Sequence, residues 1–154
     1  AKPASTPADT NVHLVKDDGI SKGVNSGVYQ SMVGSLLYAA VATRPDIAQA
    51  VSAVSKFNSS PTQAHMTAVK RIFRYLKGTV DLAVEYKNSS VGGLVGYSDS
   101  DWGGDRDDRR STTGNIFMLS GGPVSWLSKK QSTVALSTTE AEYMALSSAT
   151  QEAI

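Results

Sequence analysis

The spacing of apolar residues changes character partway along this chain, and that change restricts it to a helical portion followed by a sheet-bearing one. From Val28 to Gly78 apolar side chains recur every three to four residues, the repeat of an amphipathic helix. Beyond Asn88-Ser89-Ser90 they come in short runs separated by Gly, Pro and charged residues, as strands do. This polar triplet is the best candidate for a boundary between two structural units. With 154 residues, 40% of them apolar, the chain can bury a sizeable core as one domain or two small ones.

Residues 1–27 carry Pro, Ser, Thr, Asn, Asp and Gly with little periodicity and predict an extended arm that drapes over the body. Val28, Met32, Leu36, Leu37, Ala40 and Val41 then mark one face of a first helix, which Pro45 breaks. A second helix starts at Pro45, with Asp46 at the positive end of its dipole, and buries Ile47, Val51, Val54 and Phe57. Ser60-Pro61-Thr62-Gln63 predicts a capping box for a third helix, closed by Gly78 as a left-handed C-cap. Met66, Val69, Phe73 and Leu76 form its apolar stripe. Its outer face carries Lys70, Arg74 and Lys77 with Arg71 at the edge, either a surface that follows a phosphate backbone or an ordinary solvated face.

Val80, Leu82, Val84 and Tyr86 alternate with polar residues and predict a half-buried strand. After the triplet come strands over 94–102, 115–120 and 124–128, joined by turns short enough to imply an antiparallel meander. Ser137 then opens a helix running to Ile154, with Leu136, Tyr143, Met144 and Ala145 available for burial.

Cysteine is absent, which removes disulfides and thiolate chemistry and favours an intracellular, cytoplasmic or nuclear setting. His13 and His65 are the only imidazoles, so a zinc site is not expected, and His65 reads as a half-buried helix residue. No apolar run approaches the roughly 18 residues of a membrane span, and no signal-peptide core is present. Net charge is +1 but uneven: residues 1–90 hold ten Lys/Arg against six Asp/Glu, residues 91–154 five against eight. A basic part beside an acidic part suits a protein that holds an anion with one and a metal cation with the other.

Asp99, near the end of a predicted strand, and Glu140, in the first turn of a predicted helix, are the carboxylates best placed to hold a divalent metal between two elements. Hard ions such as Mg²⁺ take oxygen ligands, and paired ions activate water against a phosphodiester without a nucleophilic side chain. Asp101 rivals Asp99, since residues two apart on a strand share a face. Glu142 rivals Glu140 but points to another side of the helix. Ser137-Thr138-Thr139-Glu140 is also a capping box, in which Glu140 reaches back to the Ser137 amide; local sequence alone would make it a cap.

The segments Tyr-Ser-Asp-Ser-Asp-Trp-Gly-Gly-Asp (97–105), Arg-Arg-Ser-Thr-Thr-Gly (109–114), Val-Ser-Trp-Leu-Ser-Lys-Lys-Gln (124–131) and Ala-Leu-Ser-Thr-Thr-Glu-Ala-Glu-Tyr (135–143) resemble the ribonuclease H domain of copia-type retrotransposon polyproteins. Ser-Met-Val-Gly-Ser-Leu-Leu-Tyr (31–38), Thr-Arg-Pro-Asp-Ile (43–47) and Lys-Arg-Ile-Phe-Arg-Tyr-Leu-Lys-Gly-Thr (70–79) resemble the connection region preceding it. The resemblance implies an α/β chain: a helical connection-like segment over 28–88, then, over 91–154, an incomplete ribonuclease H-like fold of three antiparallel strands and the first helix. It implies Asp99 and Glu140 as catalytic metal ligands for Mg²⁺ or Mn²⁺, an RNA–DNA hybrid as substrate, and Lys129, Lys130 and Gln131 near the strand backbone. The family's remaining acidic ligands would lie beyond Ile154. The alternative expectation is therefore a catalytically incomplete remnant that binds nucleic acid or pairs its open strand edge with a second copy or a complementing chain.

Overall fold

A computed structural model describes residues 1–16, 23–87 and 93–154, so Asn88-Ser89-Ser90 lies outside the described residues. The fold is mixed α/β and divides into two compact units, Ala1–Ala83 and Val84–Ile154. Among the described residues no helix is long and apolar enough to cross a membrane.

The first unit is helical. α1 (Ser26–Ala42) is capped by the Asn25 side chain, which accepts from the Val28 amide. It buries Tyr29, Val33, Leu36 and Ala40, whereas the expected Val28, Leu37 and Val41 are exposed. The helix is apolar on nearly every side, so periodicity could not choose among its faces. Tyr29 favours the face observed, because its hydroxyl donates to the Val54 carbonyl at 2.7 Å inside the core. Burial pushes that phenol up to about 12.

A single 3₁₀ turn, Pro45–Ile47, leads into α2 (Ala48–Ser55), and Ile47, Val51, Val54 and Phe57 are buried as the spacing predicts. The Arg44 guanidinium fixes this break. It donates to both Asp46 carboxylate oxygens at 2.9 and 2.7 Å and to the Thr79 carbonyl and hydroxyl at 3.1 and 2.6 Å. Tyr75 donates to Asp46 at 2.8 Å, and its ring lies 5.6 Å from the Arg44 guanidinium carbon.

α3 (Gln63–Gly78) starts two residues later than the Ser60 box predicts. Thr62 is the cap and His65 its partner, the Thr62 amide donating to His65 Nδ1 at 2.9 Å. His65 is fully buried rather than half-buried. It stacks on Phe57 with ring centroids 3.9 Å apart, and its Nε2 lies 2.9 Å from the Val15 carbonyl oxygen. Gly78 has no positive φ, so the expected left-handed cap is absent; the Thr79 amide instead bonds the Leu76 carbonyl. The predicted strand over 80–86 does not form either. Val80, Leu82 and Tyr86 are exposed; only the end of the segment reaches the sheet, where the Tyr86 hydroxyl donates to the Pro123 carbonyl and the Lys87 amide to the Ser120 carbonyl, both at 2.7 Å, without forming a ladder.

The second unit is an antiparallel meander, β1 (Val95–Asp101), β2 (Thr112–Leu119) and β3 (Gly122–Lys130), in the order β1-β2-β3. Ser120 and Gly121, both at positive φ, make the two-residue β2–β3 turn, whose twist matches that of the strands. The outer edge of β1 is unpaired among the described strands.

α4 (Thr138–Glu152) packs across β1 and β2. It buries Ala141, Ala145 and Ala149, while Leu136 and Tyr143, expected inside, are 86% and 69% exposed. The sheet beneath explains the inversion. Thr113, Asn115 and Phe117 are its buried residues on β2, and register places Ser100, Ser98 and Gly96 opposite them, a mostly short-side-chain face that a helix of alanines can approach closely.

Candidate functional site

Asp99 sits in the middle of β1, paired with Gly114. Thr113 and Asn115 turn toward α4, so strand alternation places Asp99 on the other face of the sheet. Its carboxylate is exposed and has no hydrogen-bond or ionic partner among the described residues. The neighbouring acids differ. Asp101 accepts from the Thr112 amide, which closes the β1–β2 end of the ladder. Asp105 accepts from the Asp107 and Asp108 amides at 2.9 and 3.4 Å, shaping the turn where Arg109 adopts φ 59°.

Glu140 is used by the helix terminus. Ser137 Oγ accepts from the Glu140 amide at 3.1 Å, and Glu140 Oε2 accepts from the Leu136 amide at 2.6 Å, one residue before the Ser137 amide that the sequence predicts. Glu142 is exposed, and its carboxylate has no hydrogen-bond partner among the described residues. Among those residues no group of three or more His, Asp or Glu side chains is placed to hold a metal, and Asp99 faces away from the side of the sheet on which α4 carries Glu140.

The three residues expected beside a nucleic-acid strand take three different roles. Lys129 is exposed on β3. Lys130 Nζ bonds Asp108 at 2.6 Å and Asp105 at 3.1 Å, tying the acidic turn to β3. These contacts raise the Lys130 ammonium above its ordinary range and hold Asp108 below the usual carboxylate range. Gln131 is turned inward: its Nε2 donates to Thr113 Oγ1 at 3.1 Å and to the Ala141 carbonyl at 3.0 Å, which makes it a bracket between sheet and helix rather than a surface contact.

Sequence reasoning passed over the polar seam around that bracket. Ser100 Oγ, both amide atoms of Asn115 and Gln131 Oε1 are buried without a hydrogen-bond partner among the described residues. The signal was the alternation of Thr113, Asn115 and Phe117 with Thr112, Gly114 and Ile116, which places polar groups on a buried face. In the first unit Lys70 has no partner among the described residues, while Arg74 donates to the Lys2 carbonyl at 2.6 Å and Lys77 to the Ala1 carbonyl at 3.4 Å.

A helical unit followed by an antiparallel sheet backed by one helix, with a free aspartate in the first strand, defines the class to which the chain must be compared. Over 126 residues it is 56% identical to the secreted RxLR effector protein 161 of Plasmopara viticola, covering 82% of this chain and 89% of that protein. It is 48% identical over its whole length to the retrovirus-related Pol polyprotein from transposon TNT 1-94 of Nicotiana tabacum, and 44% identical over 99% of its length to that from transposon RE1 of Arabidopsis thaliana. The chain belongs to the family of retrovirus-related Pol polyproteins from copia-type transposons. It spans most of the effector's length but only 12% and 10% of these two Pol polyproteins. No family model matches the chain, and no solved structure matches it.

Proposed function

We propose that the chain serves ribonuclease H-type cleavage of RNA in RNA–DNA hybrids as part of a retrotransposon Pol polyprotein, with Asp99 and Glu140 as its acidic residues. The observation that carries this reading is the condition of Asp99. Asp101, Asp105, Asp107 and Asp108 are all engaged within the fold, and Asp99 alone in that stretch keeps an exposed, uncommitted carboxylate. A carboxylate with no structural task is the one available to a ligand. Lys129, exposed and without an ion pair among the described residues, is open to a phosphate.

The reaction class uses Mg²⁺ or Mn²⁺, and the described residues do not by themselves fit such an ion. Asp99 faces away from the side of the sheet on which α4 carries Glu140, among the described residues no cluster of three acidic ligands forms, and Glu140 gives one oxygen to the Leu136 amide. Mg²⁺ dehydrates reluctantly and is bound through one or two carboxylates plus substrate phosphates, so further ligands must come from the substrate or from another chain segment. The open edge of β1 favours a second reading, in which the chain is a strand-pairing assembly module.

One experiment separates the two. The purified chain is incubated with an end-labelled RNA–DNA hybrid and Mn²⁺ or Mg²⁺, beside Asp99→Asn, Glu140→Gln and Glu142→Gln, with light scattering on each sample. Cleavage abolished by Asp99→Asn without loss of helical signal is expected. An unaltered chain that does not cut, or an Asp99→Asn variant that cuts normally, rejects hydrolysis; concentration-dependent self-association of such a chain then favours assembly.

A further inference from the structure

Four cations follow one another along α3: Lys70, Arg71, Arg74 and Lys77. Residues 1–9 lie along three of them. Arg71 donates to the Thr6 carbonyl at 3.2 Å, to Thr6 Oγ1 at 2.9 Å and to Asp9 Oδ2 at 3.2 Å. Arg74 and Lys77 donate to the Lys2 and Ala1 carbonyls, and the Ala4 amide returns a bond to the Arg74 carbonyl at 3.3 Å. Pro3 lies against Gly78, where an added Cβ would come within 2.9 Å of the Pro3 Cβ. Since Gly78 has no positive φ, its missing side chain serves this close approach rather than a turn.

The acceptors that the arm supplies are mostly neutral. Asp9 is the one anion; the rest are carbonyl and hydroxyl oxygens, which satisfy the hydrogen bonds of the cations but leave their charge uncompensated. Lys2 adds a positive charge of its own. A guanidinium bonded to a phosphate makes a charge-assisted contact about twice as strong as one to a neutral oxygen. From Lys70 to Lys77 the helix advances about 10 Å at 1.5 Å per residue. That length matches about three phosphates of a duplex strand at roughly 3.4 Å of axis each, a repeating polyanion rather than a single phosphate group.

We propose that residues 1–9 form a displaceable cover over a phosphate-binding face of α3, so that a nucleic-acid backbone and the arm compete for Arg71, Arg74 and Lys77. The face lies wholly within the first unit and is independent of hydrolysis at Asp99, so binding measured in EDTA tests it separately.

Fluorescence anisotropy with a labelled RNA–DNA hybrid, over a range of salt concentrations, gives the decisive comparison. Deleting residues 1–9 exposes the cations; Gly78→Gln pushes Pro3 away while every cation and the whole arm sequence remain in the chain. Both changes should tighten binding about tenfold, and the deletion should steepen the salt dependence by about 2 in log–log slope. Adding Arg71→Gln and Arg74→Gln to the deletion should reverse the gain. In the intact chain, saturating hybrid should speed amide exchange in residues 1–9. Affinities of the deletion and Gly78→Gln chains within twofold of the parent, undiminished binding after the double arginine change, or an arm that becomes more protected with hybrid bound would each overturn the proposal.

Discussion

Replacing Arg44 by Met removes the clasp at the break between α1 and α2 while keeping the aliphatic bulk. Four hydrogen bonds are lost, two to the Asp46 carboxylate and two to Thr79, together with the cation over Tyr75. Hydrogen bonds to charged partners contribute about 1.5–3 kcal/mol each, and these share two partners, so they do not add fully. The Arg44 side chain is 12% exposed but that of Asp46 is 32% exposed, so the abandoned carboxylate regains water and the loss is moderated. A destabilisation of about 3 kcal/mol at pH 7 follows. Arg44, first by hydrogen bonding, and then Tyr75 hold Asp46 below the usual carboxylate range. A lowered carboxyl stabilises the fold above its unfolded value near 4, and that contribution disappears as pH falls through the folded value. The gap between parent and variant should therefore narrow steadily below about pH 4. Urea unfolding followed by helical circular dichroism at pH 7 and pH 3 measures both quantities. A loss below about 1 kcal/mol at pH 7, or one unchanged at pH 3, would refute this account of the clasp.

Gln131→Ala should cost the second unit about 2–3 kcal/mol, since it opens a cavity and removes the donor shared by Thr113 and Ala141; the fluorescence of Trp102 and Trp126, both in that unit, reports the shift in urea midpoint. His65→Ala should lower thermal stability of the helical unit by about 2–3 kcal/mol, by losing both the cap on the Thr62 amide and the stack on Phe57. His65→Gln, whose side chain can still reach the amide, should restore about half of that loss in the same melting experiment.

Much of the scaffold was legible because its signals are local. Pro45 and Asp46 announce a helical turn, Ser137 is a cap wherever the chain goes next, and the two-residue turn after β2 forces β2 and β3 to pair antiparallel. What escaped depends on partners distant in sequence. The buried face of α1 is selected by a hydroxyl-to-carbonyl bond from Tyr29 to Val54, 25 residues away. The capping-box signature carries Glu or Gln in the third position, whereas α3 places His65 there opposite Thr62, a pair that only the folded structure reveals. Residues 80–86 have strand alternation but form no ladder among the described residues, touching the β2–β3 hairpin only at their end. At the candidate site, residue type identified Asp99 and Glu140 as acids of interest; the previous occupation of Glu140 by the Leu136 amide, the inward turn of Gln131 and the ion pairs of Lys130 are tertiary facts.

The alanines of α4 have a consequence for how accurately its first turn is held. Ala141, Ala145 and Ala149 have no side-chain torsion beyond the methyl, so the distance between helix axis and sheet is fixed by groups that cannot change rotamer. A helix seated on leucines can slide as those side chains repack; one seated on methyls rests on a rigid spacer. The acids one turn into α4 thereby keep a constant offset from β1, and any enlargement at these three positions would be transmitted as displacement of the whole helix rather than absorbed locally.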